Sequence, residues 1–176
     1  MMESPRQLHM VIRDLANLPE IEIPEGYELR TYLPGDEQAW ADIMNTGIGE
    51  WTAEKCRERL ITQPQFLPDG LFFVTFQGKP VGSACAWRKS SDEWKVGILH
   101  MICVLPEHRS KRLGYVLNLA VLHYFRDHGF GEVWLSTDDF RIPAIKSYLR
   151  IGFEPHIFDS LHEARWQVVR QKIRES

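Results

Sequence analysis

Along the chain the apolar positions change rhythm twice, and those changes predict the elements. Residues 27–33 read as a first strand, stopped by Pro34-Gly35. Asp36 then caps a helix to about Asn45, with Ala39, Trp40 and Ile43 on its buried face. Thr52 caps a second short helix to about Gln63, with Glu54 or Lys55 near the capping-box position. The loop between them, residues 45–51, holds two glycines and is expected to be mobile. From Leu71 the rhythm is that of strands: residues 71–76, a hairpin turn at Gly78, residues 81–87, a turn at Ser90-Ser91-Asp92, then residues 94–104. The last run is nearly all apolar, as expected of a central strand covered on both faces.

After Val104 helix and strand alternate. Leu113, Leu117, Ala120 and Tyr124 recur at helical spacing, and Gly129 ends that helix. Residues 132–137 read as a strand, and residues 142–151 as a short helix stopped by Gly152. Residues 153–157 and 163–170 read as two closing strands. A meander followed by strand, helix, strand, helix and strands implies an α/β (α+β) fold. Its core is a mixed, mostly antiparallel sheet of about six or seven strands with helices on both faces. Pro5, Pro19 and Pro24 interrupt residues 1–26, which are expected to form an N-terminal arm leading into a single domain over residues 27–176.

Composition narrows the classes of function. The chain has 176 residues, 44% hydrophobic and 26% charged, with a net charge of −3. That balance is ordinary for one globular domain and offers no field to recruit nucleic acid or an anionic membrane. The three cysteines, Cys56, Cys85 and Cys103, form no C-x-x-C pair, and His123 and His128 are spaced so as to diverge on a helix. Neither a disulfide framework nor a metal site is expected, and a cytoplasmic location is.

The chemistry concentrates in residues 104–115, Val-Leu-Pro-Glu-His-Arg-Ser-Lys-Arg-Leu-Gly-Tyr, which join a buried strand to an amphipathic helix. A strand–turn–helix start aims several backbone N–H groups at one place, with the positive end of the helix dipole behind them. Arg109, Lys111 and Arg112 add three cations there. A diphosphate suits such a place; a solvated basic connection is the plainer alternative.

The segment resembles the pyrophosphate loop of the GNAT acyltransferase superfamily, Arg/Gln-x-x-Gly-x-Gly/Ala, preceded by a strand ending in Val-x-Pro. Val104 and Pro106 match the strand end, Arg109 the first motif position and Gly114 the last. Arg112 stands where glycine is usual, and Ser110 where many members have another glycine. Arg112 can serve there if its backbone is helical and its side chain points outward. A second stretch, residues 144–153, resembles the superfamily's Asn-x-x-Ala-x-x-x-Tyr-x-x-x-Gly-Phe segment, with Arg141 at the place of the usual Asn and Tyr148 at that of the tyrosine. The likeness spans roughly residues 27–170, and its tenor is similar to the mycothiol synthase and arylalkylamine branches.

The resemblance implies acetyl transfer from acetyl-CoA to a primary amine of a small molecule or protein, by direct attack in a ternary complex. It assigns Tyr148 to protonating the leaving thiolate. It assigns the cofactor to backbone groups of Ile102, Cys103 and Val104, to residues 109–115 (Arg109, Ser110, Lys111, Arg112, Leu113, Gly114, Tyr115), and to Arg141. The glutamate that ribosomal-protein acetyltransferases carry on the strand after the loop helix is replaced by Ser136. His100 is therefore the candidate base, and period-two alternation places Ile98, His100, Ile102 and Val104 on one face. Glu50 and Trp51 are candidates for the acceptor side, as are Asp138-Asp139. The rival reading is a non-catalytic GNAT-like module that binds acyl-CoA as a sensor or scaffold. No G-x-x-x-x-G-K-[ST] or G-x-G-x-x-G loop supports a nucleotide-binding domain. A monomer or homodimer is expected.

Overall fold

The computed structural model describes residues 7–90 and 95–175. The described residues form one seven-stranded sheet in the order β2-β3-β4-β5-β6-β1-β7. The strands are β1 (Leu8–Ile12), β2 (Tyr27–Thr31), β3 (Phe66–Phe76), β4 (Lys79–Arg88), β5 (Val96–Val104), β6 (Glu132–Thr137) and β7 (Glu154–His156). Only the β5–β6 pairing is parallel; every other neighbour is antiparallel. The helices are α1 (Glu37–Met44), α2 (Ala53–Cys56), α3 (Leu113–Asp127), α4 (Ile142–Ile151) and α5 (Ser160–Arg174). The mixed sheet expected from the sequence is present.

Two apolar clusters hold the layers. On one face Leu8, Met10, Val133 and Leu135 pack under α3, α4 and α5 through Leu117, Phe125, Ile145 and Trp166. On the other, Trp40, Ile43 and Met44 of α1 meet Phe73, Cys85 and Cys103. Gly97 lets α3 approach β5: a Cβ there would lie 2.6 Å from the Phe125 ring. The hairpin turn falls at Gln77-Gly78, where both residues have positive φ, as a tight primed turn requires.

Four sequence expectations need correcting. Leu8–Ile12 lies within the sheet, paired to β6 and β7, rather than in an arm outside the domain. Its alternate apolar residues earn that place: Leu8, Met10 and Ile12 are all buried. Residues 163–170 are helical, not a closing strand. Asp159 caps α5 by accepting from the His162 N–H, and His162, Trp166 and Val169 form one buried helical stripe. Asp36 does not cap α1 with its side chain; its carboxylate turns back to the Arg30 guanidinium at 2.6 and 2.8 Å. The helix capped by Thr52 passes after Cys56 into a π-helical turn, Arg57–Ile61. Ser91, Asp92 and Trp94, expected in a turn and a strand start, lie outside the described residues.

Candidate active site

Strand β5 occupies the centre of the sheet, and its parallel partner leaves it early. Pairing between β5 and β6 covers Val96–Ile98 against Glu132–Trp134 and ends there. A bulge turns β5 aside: the β4–β5 register shifts between Ser83 and Cys85, and Met101 takes a φ of 52°. The two strands open into a cleft with a cavity of about 720 Å³.

The bulge also reverses the sides of the strand. Ile102 and Val104 join the cluster under α3, whereas His100 lies on the opposite face with its ring 5.2 Å from that of Trp87. The expected common face of Ile98, His100, Ile102 and Val104 is therefore broken at Met101. Burial pushes the His100 imidazole down to about 4, so it is neutral near pH 7, and it does not border the cavity.

Ile102, Cys103 and Val104 do border it. The Val104 carbonyl is already an acceptor, taking the Arg109 Nε–H at 2.9 Å. That bond folds the loop back over the strand end, and Arg109 also reaches the Thr46 carbonyl at 3.4 Å. Beyond a single 3-10 turn, Pro106–His108, Ser110 and Arg112 both adopt φ of 62°. Arg112 is thus left-handed rather than helical, the conformation that glycine takes without cost. Its guanidinium lies over the Tyr115 ring, 5.3 Å from the centroid.

Residue Arg112 immediately precedes α3, whose first turn has no side-chain cap. The first intrahelical bond is Val116 N–H to Arg112 carbonyl, which leaves the N–H groups of Leu113, Gly114 and Tyr115 facing the helix start. A Cβ on Gly114 would meet no protein atom within 4 Å, so space beside this backbone is left open on the cavity wall. These donors suit a diphosphate. Lys111 does not border the cavity; its ammonium donates to the Glu107 carbonyl at 3.1 Å.

Across the cavity, α4 presents Tyr148, only 5% exposed and edge-on to Phe153. Burial raises its phenol to about 12, and the Arg141 guanidinium opposes that rise. Arg141 borders the cavity too, held to Asp138 at 3.2 Å and to the Gly47 carbonyl at 2.9 Å. Trp51 packs against Trp40, ring centroids 5.0 Å apart, and its indole N–H donates to the Ile48 carbonyl. Neither Trp51 nor Glu50 borders the cavity.

Thr46 and Asn118 line the cavity without having been singled out by the sequence. Thr46 gives its hydroxyl hydrogen to the Ile43 carbonyl and lies 3.3 Å from the Cys103 sulfur. Asn118, buried in α3, donates to Ser147 at 3.3 Å while its own side-chain oxygen has no partner among the described residues. An amide among the apolar residues of α3 was the signal available. An unpaired buried carbonyl on the cavity wall suits a donor group from a ligand.

A sheet parted between parallel strands, with a cation-lined helix start at the parting, is the architecture of CoA-dependent acyltransferases. A GCN5-related N-acetyltransferase from Sphaerobacter thermophilus shares the fold with a TM-score of 0.72 at 24% identity, over 86% of this chain and 49% of that one. The chain belongs to the acetyltransferase (GNAT) family, whose profile matches residues 39–153. It is 33% identical over 154 residues to a mycothiol acetyltransferase from Thermomonospora curvata, covering 84% of this chain and 50% of that protein. It is 30% identical over 175 residues to one from Nocardia farcinica, covering 93% and 57%. The chain thus spans about half the length of the curated relatives it matches.

Proposed function

We propose that the chain transfers an acetyl group from acetyl-CoA to a primary amine by direct attack in a ternary complex. The observation that carries this reading is the convergence, on one cavity, of the unpaired α3 N–H groups, the splayed strand β5 and the buried Tyr148 phenol. The names of the relatives favour a small-molecule amine of the mycothiol kind over a protein amino group, and they favour a catalyst over a binding module.

In this reading the diphosphate of acetyl-CoA sits on the N–H groups of Leu113, Gly114 and Tyr115, between Arg109 and Arg112. The pantetheine arm follows the free edge of β5 at Ile102 and Cys103, and the Asn118 carboxamide oxygen takes a donor from it. The thioester then lies beside Tyr148. A phenol raised to about 12 stays protonated at neutral pH and is available to donate to sulfur as the C–S bond breaks. Full transfer to a thiolate of pKa about 8.5 is uphill by about 5 kcal/mol unless the attacking nitrogen loses a proton in the same step. The phenol therefore supplies a hydrogen bond to developing charge first and a proton last.

Calorimetric titration with acetyl-CoA, beside the same titration on an Arg109→Ala, Lys111→Ala variant, tests the reading. Micromolar binding weakened in the variant, with thiol release on addition of amines, supports it. No binding to the intact chain overturns it.

A further inference from the structure

The loop after β5 is held from a part of the sheet remote in sequence. Antiparallel pairing of Tyr27 with Phe76, Phe76 with Lys79 and Gly82 with Val104 gathers four strand ends at one end of the sheet. There the Leu105 N–H donates to the Val81 carbonyl at 2.9 Å, and the His108 N–H to the Leu105 carbonyl at 3.0 Å. The backbone of His108 is thereby fixed, and so is its ring. Nδ1 lies 2.9 Å from the Tyr27 hydroxyl, 81 positions away. The Tyr27 ring stands edge-on at 5.7 Å, and the Phe76 ring lies 5.3 Å off.

His108 also borders the cavity, beside Arg109, Ser110 and Arg112. With Nδ1 taken by Tyr27, Nε2 is the ring nitrogen left for a ligand. A phenol can donate to a neutral Nδ1 or accept from a protonated one, and in both states Nε2 carries a hydrogen. An anion in the cavity selects those states over the tautomer in which Nε2 is a bare lone pair.

The geometry points to His108 as a proton-coupled ligand of the cofactor diphosphate, with Tyr27 as its positioning residue. This assignment rests on the acetyl-CoA reading above. The His108 Nε2–H donates to a diphosphate oxygen. As the anion seats, Nδ1 takes one proton from solvent, and the Tyr27 oxygen accepts the new N–H. That protonation is the only covalent change. His108 touches the cofactor; Tyr27 acts through it.

The charged neighbours leave this role to the imidazole. On the same loop Arg109 is engaged by the Val104 and Thr46 carbonyls and Lys111 by the Glu107 carbonyl, and the Arg112 guanidinium lies over Tyr115. From the sheet, β2 presents the Tyr27 phenol and β3 the uncharged Phe76 ring. Glu107 and Glu28, each adjacent in sequence to one of the pair, are exposed. Arginine stays charged across the working range, whereas an imidazole ordinarily titrates near neutrality. Acetyl-CoA should therefore bind more tightly as pH falls through neutrality.

The test is calorimetric titration of the full chain with acetyl-CoA at pH 6, 7 and 8, in two buffers of different ionisation enthalpy. It reads Kd and proton uptake together. The wild type is expected to take up about half a proton at pH 7 and to bind about five-fold more tightly at pH 6 than at pH 8. His108→Gln keeps a donor toward the cavity but cannot titrate. Its deficit in affinity should grow from about two-fold at pH 8 to about ten-fold at pH 6, with the extra proton uptake gone. Tyr27→Phe should follow the same trend more weakly, about three-fold at pH 6. Titrating groups of acetyl-CoA itself are common to all three proteins, so the differences read His108. Variant profiles parallel to the wild type, with equal proton uptake, overturn the assignment and leave the acetyl-CoA reading standing. No binding of acetyl-CoA by the wild type at any pH overturns both.

Discussion

Arg141 donates to the carbonyl of Gly47 across 94 positions of sequence, at 2.9 Å, while its Nε–H is fixed to Asp138. The loop after α1 is thereby tied to the start of α4, over the mouth of the cavity. Arg141→Ala cuts this tie. A charge-assisted bond at a part-exposed side chain contributes about 1 kcal/mol, so KM for the amine should rise about five-fold. Steady-state kinetics with each substrate varied will show whether the amine term carries the change.

The left-handed residues of the loop make opposite predictions for stability and binding. At Ser110 and Arg112 a side chain in this conformation costs about 1 kcal/mol relative to glycine. Ser110→Gly should therefore raise Tm by a few degrees, by about 2–4 °C for a chain of this size. Arg112→Gly should also melt no lower than wild type, yet bind acetyl-CoA about 5- to 30-fold more weakly through loss of its cation. Paired melting curves and calorimetry separate the two effects.

Tyr148→Phe removes one oxygen and leaves the ring packed against Phe153. If the phenol donates to the leaving sulfur, kcat should fall about 100-fold or more. Affinity for acetyl-CoA should hardly move. Single-turnover rates beside equilibrium titrations check this.

Acid stability should report His100. Its folded-state affinity for a proton lies near 4, below the 6.5 of an exposed imidazole, so the unfolded chain binds more protons in between. The stability associated with a neutral His100 is fully present above about pH 6.5 and is lost as pH falls to about 4. The loss amounts to about 3 kcal/mol. Denaturant titrations across that range should show the wild type losing about 3 kcal/mol more stability than His100→Phe as pH falls.

Where the sequence pattern was strong, the elements followed it. Helix α4 and strand β6 fall where they were read, because Gly152 at φ 117° stops the one and alternation marks the other. Helix α5 was misread since Val168 and Val169 favour a strand locally, while the stripe through Trp166 that makes it a helix appears only with a sheet to pack on. Strand β1 was hidden by the prolines that follow it. In the site, Arg109, Gly114 and Tyr148 were legible from motif spacing. The place of His100 was not, because a single bulged residue at Met101 reverses every side chain beyond it. The nearness of His9 to Ser136, 127 positions apart, depends on strand order, which spacing does not encode.

Strand β1 has a consequence for how the molecule assembles. In chain order it comes long before its sheet neighbours β6 and β7, with β2 to β5 and α1 to α3 between. Until they emerge, Leu8, Met10 and Ile12 have no strand partners. The cleft half of the sheet therefore closes last and across the longest loop in the fold, a slow kind of contact to make. A nascent chain stalled before residue 132 would hold α1 through α3 and still present an unpaired, apolar strand to its surroundings.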